Sequence, residues 1–195
     1  ASRALLDACD RLGMYVMDEA FDGWYTPKTY HDYSRIFESA WREDLSAMIQ
    51  KDYNHPSVVL YSIGNEVTET ACEQGVQTAE QMTALAHTLD NTRPVTAGIN
   101  VLLNVYNQKG IGVYKETESY KPEPLPPKKQ EEKKKESGSA FFNMVMQHLG
   151  PLMFYMSKGK KGDAACRAVA EKLDILGLNY AASRYEEDCL TYPNR

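Results

Sequence analysis

A short apolar run that ends in a carboxyl group constrains this sequence most. The run extends from Val58 to Ile63, is rich in β-branched residues, and is followed directly by Gly64, Asn65 and Glu66. Because it is too short for a helix and almost entirely apolar, it predicts a strand that is buried on both faces. Such strands belong to parallel sheets, and barrels built from them carry their reactive groups at the carboxyl ends of the strands. Glu66 is therefore predicted to lie where a catalytic acid would be placed.

Three more segments have the pattern of strands, and helical patterns separate them. The four predicted strands are 14–18, 58–63, 94–99 and 174–180. Apolar residues recur at helical spacing over 5–12, 36–49 and 76–89, with Ser34 as the expected cap of the second helix. A fourth helix is expected within 163–173. This alternation predicts an α/β fold with a parallel, right-handed sheet. Since a complete (β/α)8 barrel needs about 250 residues, a chain of 195 residues is expected to form only part of one.

Two segments resemble glycoside hydrolase family 2, the group of β-galactosidases, β-glucuronidases and β-mannosidases. The resemblance rests on 53–66 and on 12–19, covers most of residues 1–100, and resumes weakly at 173–185. The sequence departs from the family at Tyr53, where a basic residue is usual, and at Tyr61, where a tryptophan is usual. The resemblance implies that residues 1–195 are part of one catalytic TIM-barrel domain, with about four parallel strands that correspond to the third to sixth strands of the barrel.

The resemblance also implies hydrolysis of terminal β-glycosidic bonds, with β-galactosides as the preferred substrates. Retaining glycosidases use two carboxyl groups about 5–5.5 Å apart. Glu66 matches the general acid/base of the family, whereas the family nucleophile is a glutamate on the seventh strand and is expected beyond Arg195. The isolated fragment is accordingly expected to be inactive. Internal carboxyl groups are less favoured as the nucleophile, namely Asp18, Glu19, Glu186 and Glu187.

Five residues are candidates for substrate binding. Asn65, beside Glu66, is suited to holding a sugar hydroxyl, and Asp18 at the end of the preceding strand is an acceptor for a hydroxyl or for a neighbouring side chain. Asn179 and Tyr180 resemble the sixth-strand segment whose tyrosine lies near the nucleophile, although a tyrosine lining the rim is an equal alternative. Trp24 follows the first predicted strand and is suited either to stacking on a sugar or to packing within its loop.

Two other functions remain open at the level of sequence: a carbohydrate-binding or interaction module without catalysis, and a related barrel glycosidase of another family. The net charge of −5 argues against nucleic acid as a partner. No apolar run approaches 18 residues, so no membrane span is expected. A carbohydrate is thus the expected partner of a soluble domain, cytoplasmic or exported, and homo-oligomers are an expectation for an open barrel.

Neither a metal site nor a cofactor site is predicted from the side chains. His55 lies in an Asn-His-Pro-Ser turn, which is more typical of a fixed loop than of a zinc ligand. Some members of the family bind magnesium or sodium near the active site, but no residue of this chain can be assigned to either ion. Four scattered cysteines are expected to be free thiols, namely Cys9, Cys72, Cys166 and Cys189.

Residues 121–139 form a low-complexity insertion. Four prolines are followed by a run of mixed charge and by Ser137-Gly138-Ser139. Such a composition cannot bury enough apolar surface to order the chain, so a disordered segment is predicted. Apolar residues at helical spacing over 141–149 predict a helix that packs back on the barrel.

Overall fold

The structure is a computed structural model and describes residues 1–29, 31–109, 157 and 159–193. The predicted insertion at 121–139 and the predicted helix at 141–149 lie outside the described residues. The strands are β1 (Val16–Glu19), β2 (Val58–Asn65), β3 (Val95–Asn100) and β4 (Gly177–Asn179). The helices are α1 (Arg3–Leu12), α2 (Ser34–Asp52), α3 (Glu73–Leu89), α4 (Val101–Gln108), α5 (Lys160–Ala170) and α6 (Tyr185–Thr191). Short 3-10 turns follow β2 at Thr68–Ala71 and β4 at Ala182–Arg184.

The four strands form one parallel sheet in the order in which they occur along the chain. Asp18 of β1 lies opposite Tyr61 of β2, and Tyr61 lies opposite Val95 of β3. In the next pair, Ile99 of β3 lies opposite Leu178 of β4. The predicted α/β architecture is confirmed: the described strands form one parallel sheet with helices between them, and this sheet remains open, with β1 and β4 as its outer strands.

Local chemistry explains where the first two helices begin and end. The Ser2 hydroxyl accepts a hydrogen bond from the Leu5 amide, 3.3 Å away, and α1 ends at Gly13, whose φ of 67° favours glycine. The prediction that Ser34 caps the second helix was wrong. Ser34 is the first residue of α2, and its backbone N–H donates to the Asp32 carboxylate at 3.1 Å.

Residues 174–176 were predicted to belong to the fourth strand, but they precede it. The backbone N–H groups of Asp174 and Ile175 both donate to the carbonyl of Val95. Because two donors converge on one acceptor, this segment does not continue the regular ladder. The strand therefore begins only at Gly177.

The main core lies between the sheet and its helices. On α2, apolar residues repeat every four positions and are almost fully buried, namely Phe37, Trp41, Leu45 and Ile49. They pack with strand residues of the same sheet face, including Tyr61, Ile63, Val95 and Ile99. Within the described part of the chain, none of the helices has the length and apolar character required to cross a membrane.

A buried ion pair joins strands at the amino end of the sheet. The Asp90 carboxylate accepts hydrogen bonds from Tyr61, Thr92 and Arg93. Arg93 also donates to the carbonyls of Val58 and His55. Although burial opposes the ionised form, the bonds from Thr92, then Arg93 and Tyr61, lower the pKa of Asp90 to about 2. Tyr61 thus contributes a hydroxyl to this network.

His55 performs the structural role that its turn predicts. Its Nδ1 lies 2.7 Å from Asp10 Oδ2, and the Ser57 backbone N–H donates to the other oxygen of Asp10 at 2.9 Å. Hydrogen bonds from Ser57 and His55 lower the pKa of Asp10 to about 2. Asp7 lies next to this pair, with ligand-type atoms of all three side chains within 4.8 Å. These contacts join α1 to the turn before β2, at the end of the sheet opposite Glu66.

Candidate functional site

Glu66 lies immediately beyond the carboxyl end of β2, as the apolar run predicts. Its backbone N–H donates to the carbonyl of Gly98 on β3 at 2.7 Å. Its φ is 50°, in the left-handed region that costs a residue with a side chain about 1–2 kcal/mol. Phe21 after β1 and Tyr180 after β4 also have positive φ values, of 65° and 57°. Three strand ends at this edge therefore have strained backbones, which is common at functional sites.

The Glu66 carboxyl group contacts a residue that sequence reasoning missed. Its Oε1 accepts a hydrogen bond from Asn100 Nδ2 at 2.9 Å. Asn100 is the last residue of β3 and is only 6% exposed. The sequence feature that could have indicated Asn100 is its position directly before the apolar run 101–103, because an asparagine in this position is typical of a helix N-cap.

Asn65 is held at both ends of its amide. Its Oδ1 accepts from Asn179 Nδ2 at 2.8 Å, and its Nδ2 donates to Asp22 Oδ1 at 3.1 Å. The Lys28 ammonium donates to the Asn65 carbonyl at 2.8 Å and pairs with Asp22 at 2.9 Å. The structure thus brings the predicted residues Asn65 and Asn179 together, and it adds Asp22 and Lys28, which no local pattern had indicated.

Gly98 leaves room for this pair of amides. A Cβ at position 98 would lie 3.1 Å from Asn65 Oδ1 and 3.2 Å from Asn179 Oδ1. The same residue accepts the Glu66 backbone hydrogen bond. Gly98 therefore lies beneath the Asn65–Asn179 contact and beside Glu66. Tyr180 follows Asn179 at the same edge, and its side chain is largely exposed.

Asp18 and Trp24 are not part of this group. Asp18 is 2% exposed and lies opposite Tyr61, a residue of the helix-facing core. Burial, and then the neighbouring Asp52 carboxyl, raises the pKa of Asp18. Trp24 has no exposed surface, donates from Nε1 to the Ile63 carbonyl at 3.0 Å, and stacks on Phe37. The expectation that Asp18 binds substrate is thus corrected, and for Trp24 the packing alternative describes the structure.

Glu19, rather than Asp18, points away from the helices. Side chains alternate between the two faces of a strand, so Glu19 lies on the face opposite Asp18. The hydroxyl of Ser62, its partner in register, donates to Glu19 Oε2 at 2.6 Å. By contrast, Glu186 and Glu187 are exposed in the first turn of α6, where acidic residues interact favourably with the helix dipole.

The four cysteines form no disulfide, as predicted. Cys166 is buried between helices, and burial raises the pKa of its thiol to about 12. A thiol with such a pKa stays protonated at neutral pH and is a poor nucleophile. A carboxyl group such as that of Glu66 can give or take a proton, and the amides beside it can exchange hydrogen bonds with the hydroxyl groups of a ligand.

Comparison with known proteins identifies relatives of this chain. The family model described as "Glycosyl hydrolases family 2, TIM barrel domain" matches residues 1–139. The chain is 39% identical over 127 residues to "Beta-galactosidase BoGH2A" of Bacteroides ovatus, a match that covers 49% of this chain and 15% of that protein. It is also 40% identical over 93 residues to a "Putative beta-glucuronidase" of Formosa agariphila, covering 47% of this chain and 8% of that protein.

A solved structure has a similar fold, and together with the family model it shows that the described strands and helices form part of a TIM barrel, as predicted. A glycosyl hydrolase family 2 member from Bacteroides cellulosilyticus superposes with a TM-score of 0.64 and 32% sequence identity. The match covers 100% of this chain and 17% of that one. The chain thus spans less than a fifth of the length of each of these three relatives.

Proposed function

The chain belongs to glycoside hydrolase family 2, and from this membership we propose that it supplies the proton-donating half of a retaining β-glycosidase site. Glu66 is the general acid and base of this site. The observation that supports the proposal most is the hydrogen-bonded position of Glu66 at the carboxyl edge of a parallel sheet, where α/β barrels carry their catalytic residues.

Glu66 acts twice in the proposed cycle. In the first step its protonated carboxyl group gives a proton to the glycosidic oxygen while a second carboxylate attacks the anomeric carbon and the leaving group departs. In the second step the ionised Glu66 takes a proton from water, whose oxygen attacks the same carbon and releases the second carboxylate. Each step leaves Glu66 in the protonation state that the next step requires.

Asn65 and Asn179 bind the sugar in this proposal. Each amide donates one known hydrogen bond through Nδ2, and each amide nitrogen has two hydrogens. One N–H of each residue is thus left over from the contacts described above. Because these contacts also fix the orientation of the amides, little side-chain entropy remains to be lost when a hydroxyl binds.

The preferred substrates are β-galactosides, because the segment around Glu66 most resembles those members of the family. The 39% identity to a protein named as a β-galactosidase supports this choice, although a relative named as a putative β-glucuronidase is of similar identity. The second carboxylate is proposed to come from the seventh strand of the completed barrel, beyond Arg195.

The test compares aryl β-galactoside, β-glucuronide, β-mannoside and β-glucoside hydrolysis by the protein that carries both carboxyl groups, with and without Glu66→Gln. Loss of a general acid/base is expected to lower kcat for a poor leaving group by about 10²–10⁴-fold. The decrease should be smaller for a dinitrophenyl leaving group, which needs little protonation. Azide, a nucleophile that needs no base, should restore turnover in the variant and release the glycosyl azide.

Two controls make this test specific. Glu19→Gln removes the other carboxyl group on the same face of the sheet and should leave the dependence on leaving group unchanged. The 195-residue chain alone is expected to be inactive, and turnover by it would mean that the second carboxylate lies within these residues. A Glu66→Gln variant that hydrolyses all the glycosides at the original rate would contradict the proposal. Sugar binding without hydrolysis by the protein that carries both carboxyl groups would favour a binding module instead.

A further inference from the structure

We propose that Asn100 is the positioning residue of Glu66 and that it makes Oε2 the oxygen that carries the transferred proton. This inference rests on the proposed function of Glu66 and deepens it by naming one atom. The evidence is that the two ends of the Asn100 side-chain amide have different partners. One end caps a helix, and the other faces the carboxyl group.

The helix end fixes which way the amide points. Asn100 Oδ1 accepts hydrogen bonds from the backbone N–H groups of Leu102 at 3.1 Å and Leu103 at 3.3 Å. These are the unpaired donors at the start of α4, and an asparagine oxygen is one of the preferred groups for them. A flipped amide would place N–H groups against N–H groups. Nδ2, and not Oδ1, must therefore face Glu66.

The orientation of Asn100 in turn restricts Glu66. Nδ2 offers only hydrogens, so the oxygen it contacts, Oε1, can only accept. A proton on Oε1 would make that oxygen a weaker acceptor for the Asn100 N–H, whose nitrogen lies 2.9 Å away, whereas a proton on Oε2 leaves the stronger, carbonyl-type acceptor facing Asn100. The proton of the neutral acid is therefore placed on Oε2. Since the Glu66 backbone is also held by Gly98, both ends of the residue are fixed from β3.

Other charged groups at this edge already have partners of their own. Glu19 accepts from Ser62, Asp22 pairs with Lys28 and Asn65, and Glu69 accepts from Thr26 and Thr68. Strands β3 and β4 contain no titratable residue, and Tyr180 follows β4. None of these groups changes in a variant of Asn100. A difference between such variants therefore reports on residue 100 itself.

The first experiment is a pH titration of the 195-residue chain followed by NMR of the Asn100 side-chain amide. The amide resonances are expected to shift with pH in a single step, because Glu66 gains and loses its proton beside them. In Glu66→Gln this step should vanish. A resonance that does not titrate, or one that titrates equally in Glu66→Gln, would overturn the proposal. Neither measurement needs turnover, so this outcome is separate from that of the hydrolysis test.

Two substitutions then separate positioning from helix capping. Asn100→Ser and Asn100→Asp both keep an oxygen that can accept from the backbone N–H groups at the start of α4, so neither should lose the helix cap. Asp places a second carboxylate beside Glu66 and should raise the pH midpoint of the Glu66 carboxyl carbon resonance by about one unit. Asn100→Ser loses the Nδ2 donor, which the shorter hydroxyl side chain does not replace at Oε1, and should raise this midpoint less. Equal midpoints in Asn100→Ser, Asn100→Asp and the parent would overturn the proposal.

Discussion

At the scale of single residues, the candidate site depends on how closely polar side chains approach across the sheet. Asn65 and Asn179 come from β2 and β4 and meet above β3, because Gly98 between them has no side chain. Gly177 allows a similarly close approach between the backbones of β4 and β3. A Cβ there would lie 2.5 Å from the Ala97 carbonyl oxygen, which belongs to the backbone and cannot rotate away.

Gly98→Ala and Gly177→Ala are predicted to differ in stability. The Cβ that Gly98→Ala adds would press on the ends of two amide side chains at 3.1–3.2 Å, which can shift by a few tenths of an ångström. We expect a loss of about 1 kcal/mol in the free energy of unfolding for Gly98→Ala and about 3 kcal/mol for Gly177→Ala. Thermal and denaturant unfolding of both variants measure this difference. Equal losses would mean that the Asn65–Asn179 pair is as rigid as the backbone.

The location of a site residue could be predicted from the sequence only where the residue follows a strand with an unambiguous apolar pattern. Glu66 and Asn65 follow an unambiguous apolar run, and Asn179 lies one residue before the end of the fourth predicted strand. Asn100 was missed because its partner is 34 positions away in the chain, and no local pattern specifies such a contact. Trp24 was ambiguous because an aromatic residue in a loop can face either solvent or the core.

At the scale of elements, the amino end of the sheet is joined by the buried pair of Asp90 and Arg93. Asp90 follows α3, Arg93 precedes β3, and their contacts reach Tyr61 and two carbonyls that flank the start of β2. The pair thus fixes β2 and β3 at the end opposite Glu66. Because the native pKa of Asp90 is about 2, against an ordinary value of 3.8, its ionised form stabilises the fold.

Asp90→Asn is predicted to destabilise the chain and to weaken its acid sensitivity. The contribution of ionised Asp90 to the free energy of unfolding is present above the ordinary pKa of 3.8. It is lost as the pH falls towards 2, because the pKa of Asp90 is lower in the native state than in the unfolded state. At neutral pH we expect the variant to lose about 2 kcal/mol, the typical value for a hydrogen bond to a charged group. Urea unfolding at pH 7 and pH 3 measures both effects. The exposed substitution Glu38→Gln is the control and should change neither.

The element order could be predicted well, and the ends of elements less well. All four strands and their parallel arrangement follow from apolar runs separated by helical spacing. Helix α4 was missed because its apolar run, 101–103, follows β3 directly, and a short apolar run does not distinguish a helix from a strand. What separates the two elements is the Asn100 cap, whose effect depends on the backbone turning there.

At the scale of the whole molecule, the sheet of the described residues is open along β1. Large apolar side chains are exposed around this strand, namely Leu12, Met14, Tyr15 and Met17. An unpaired strand edge beside apolar surface is a common route to association between chains. The isolated 195-residue chain is therefore expected to form oligomers.

Met17→Lys is predicted to reduce this association, because a charge on an outer strand opposes pairing with a second chain. Met17 is 53% exposed, so the lysine can reach water without unfolding the strand. The matched control is Leu190→Lys on α6, which adds the same charge at an 80% exposed position away from β1. Light scattering across a concentration series measures the mass. A parent chain that is monomeric at all concentrations would contradict the prediction.

The left-handed backbone at Glu66 also limits how this chain can be made more stable. Replacing Glu66 with glycine would relieve the conformational penalty at φ 50°, yet it would remove the carboxyl group. Selection for thermal stability alone would thus favour a change that selection for acid/base catalysis forbids. In a mutational scan scored once for folding and once for activity, this position should give opposite rankings, which is the signature of a stability–activity trade-off.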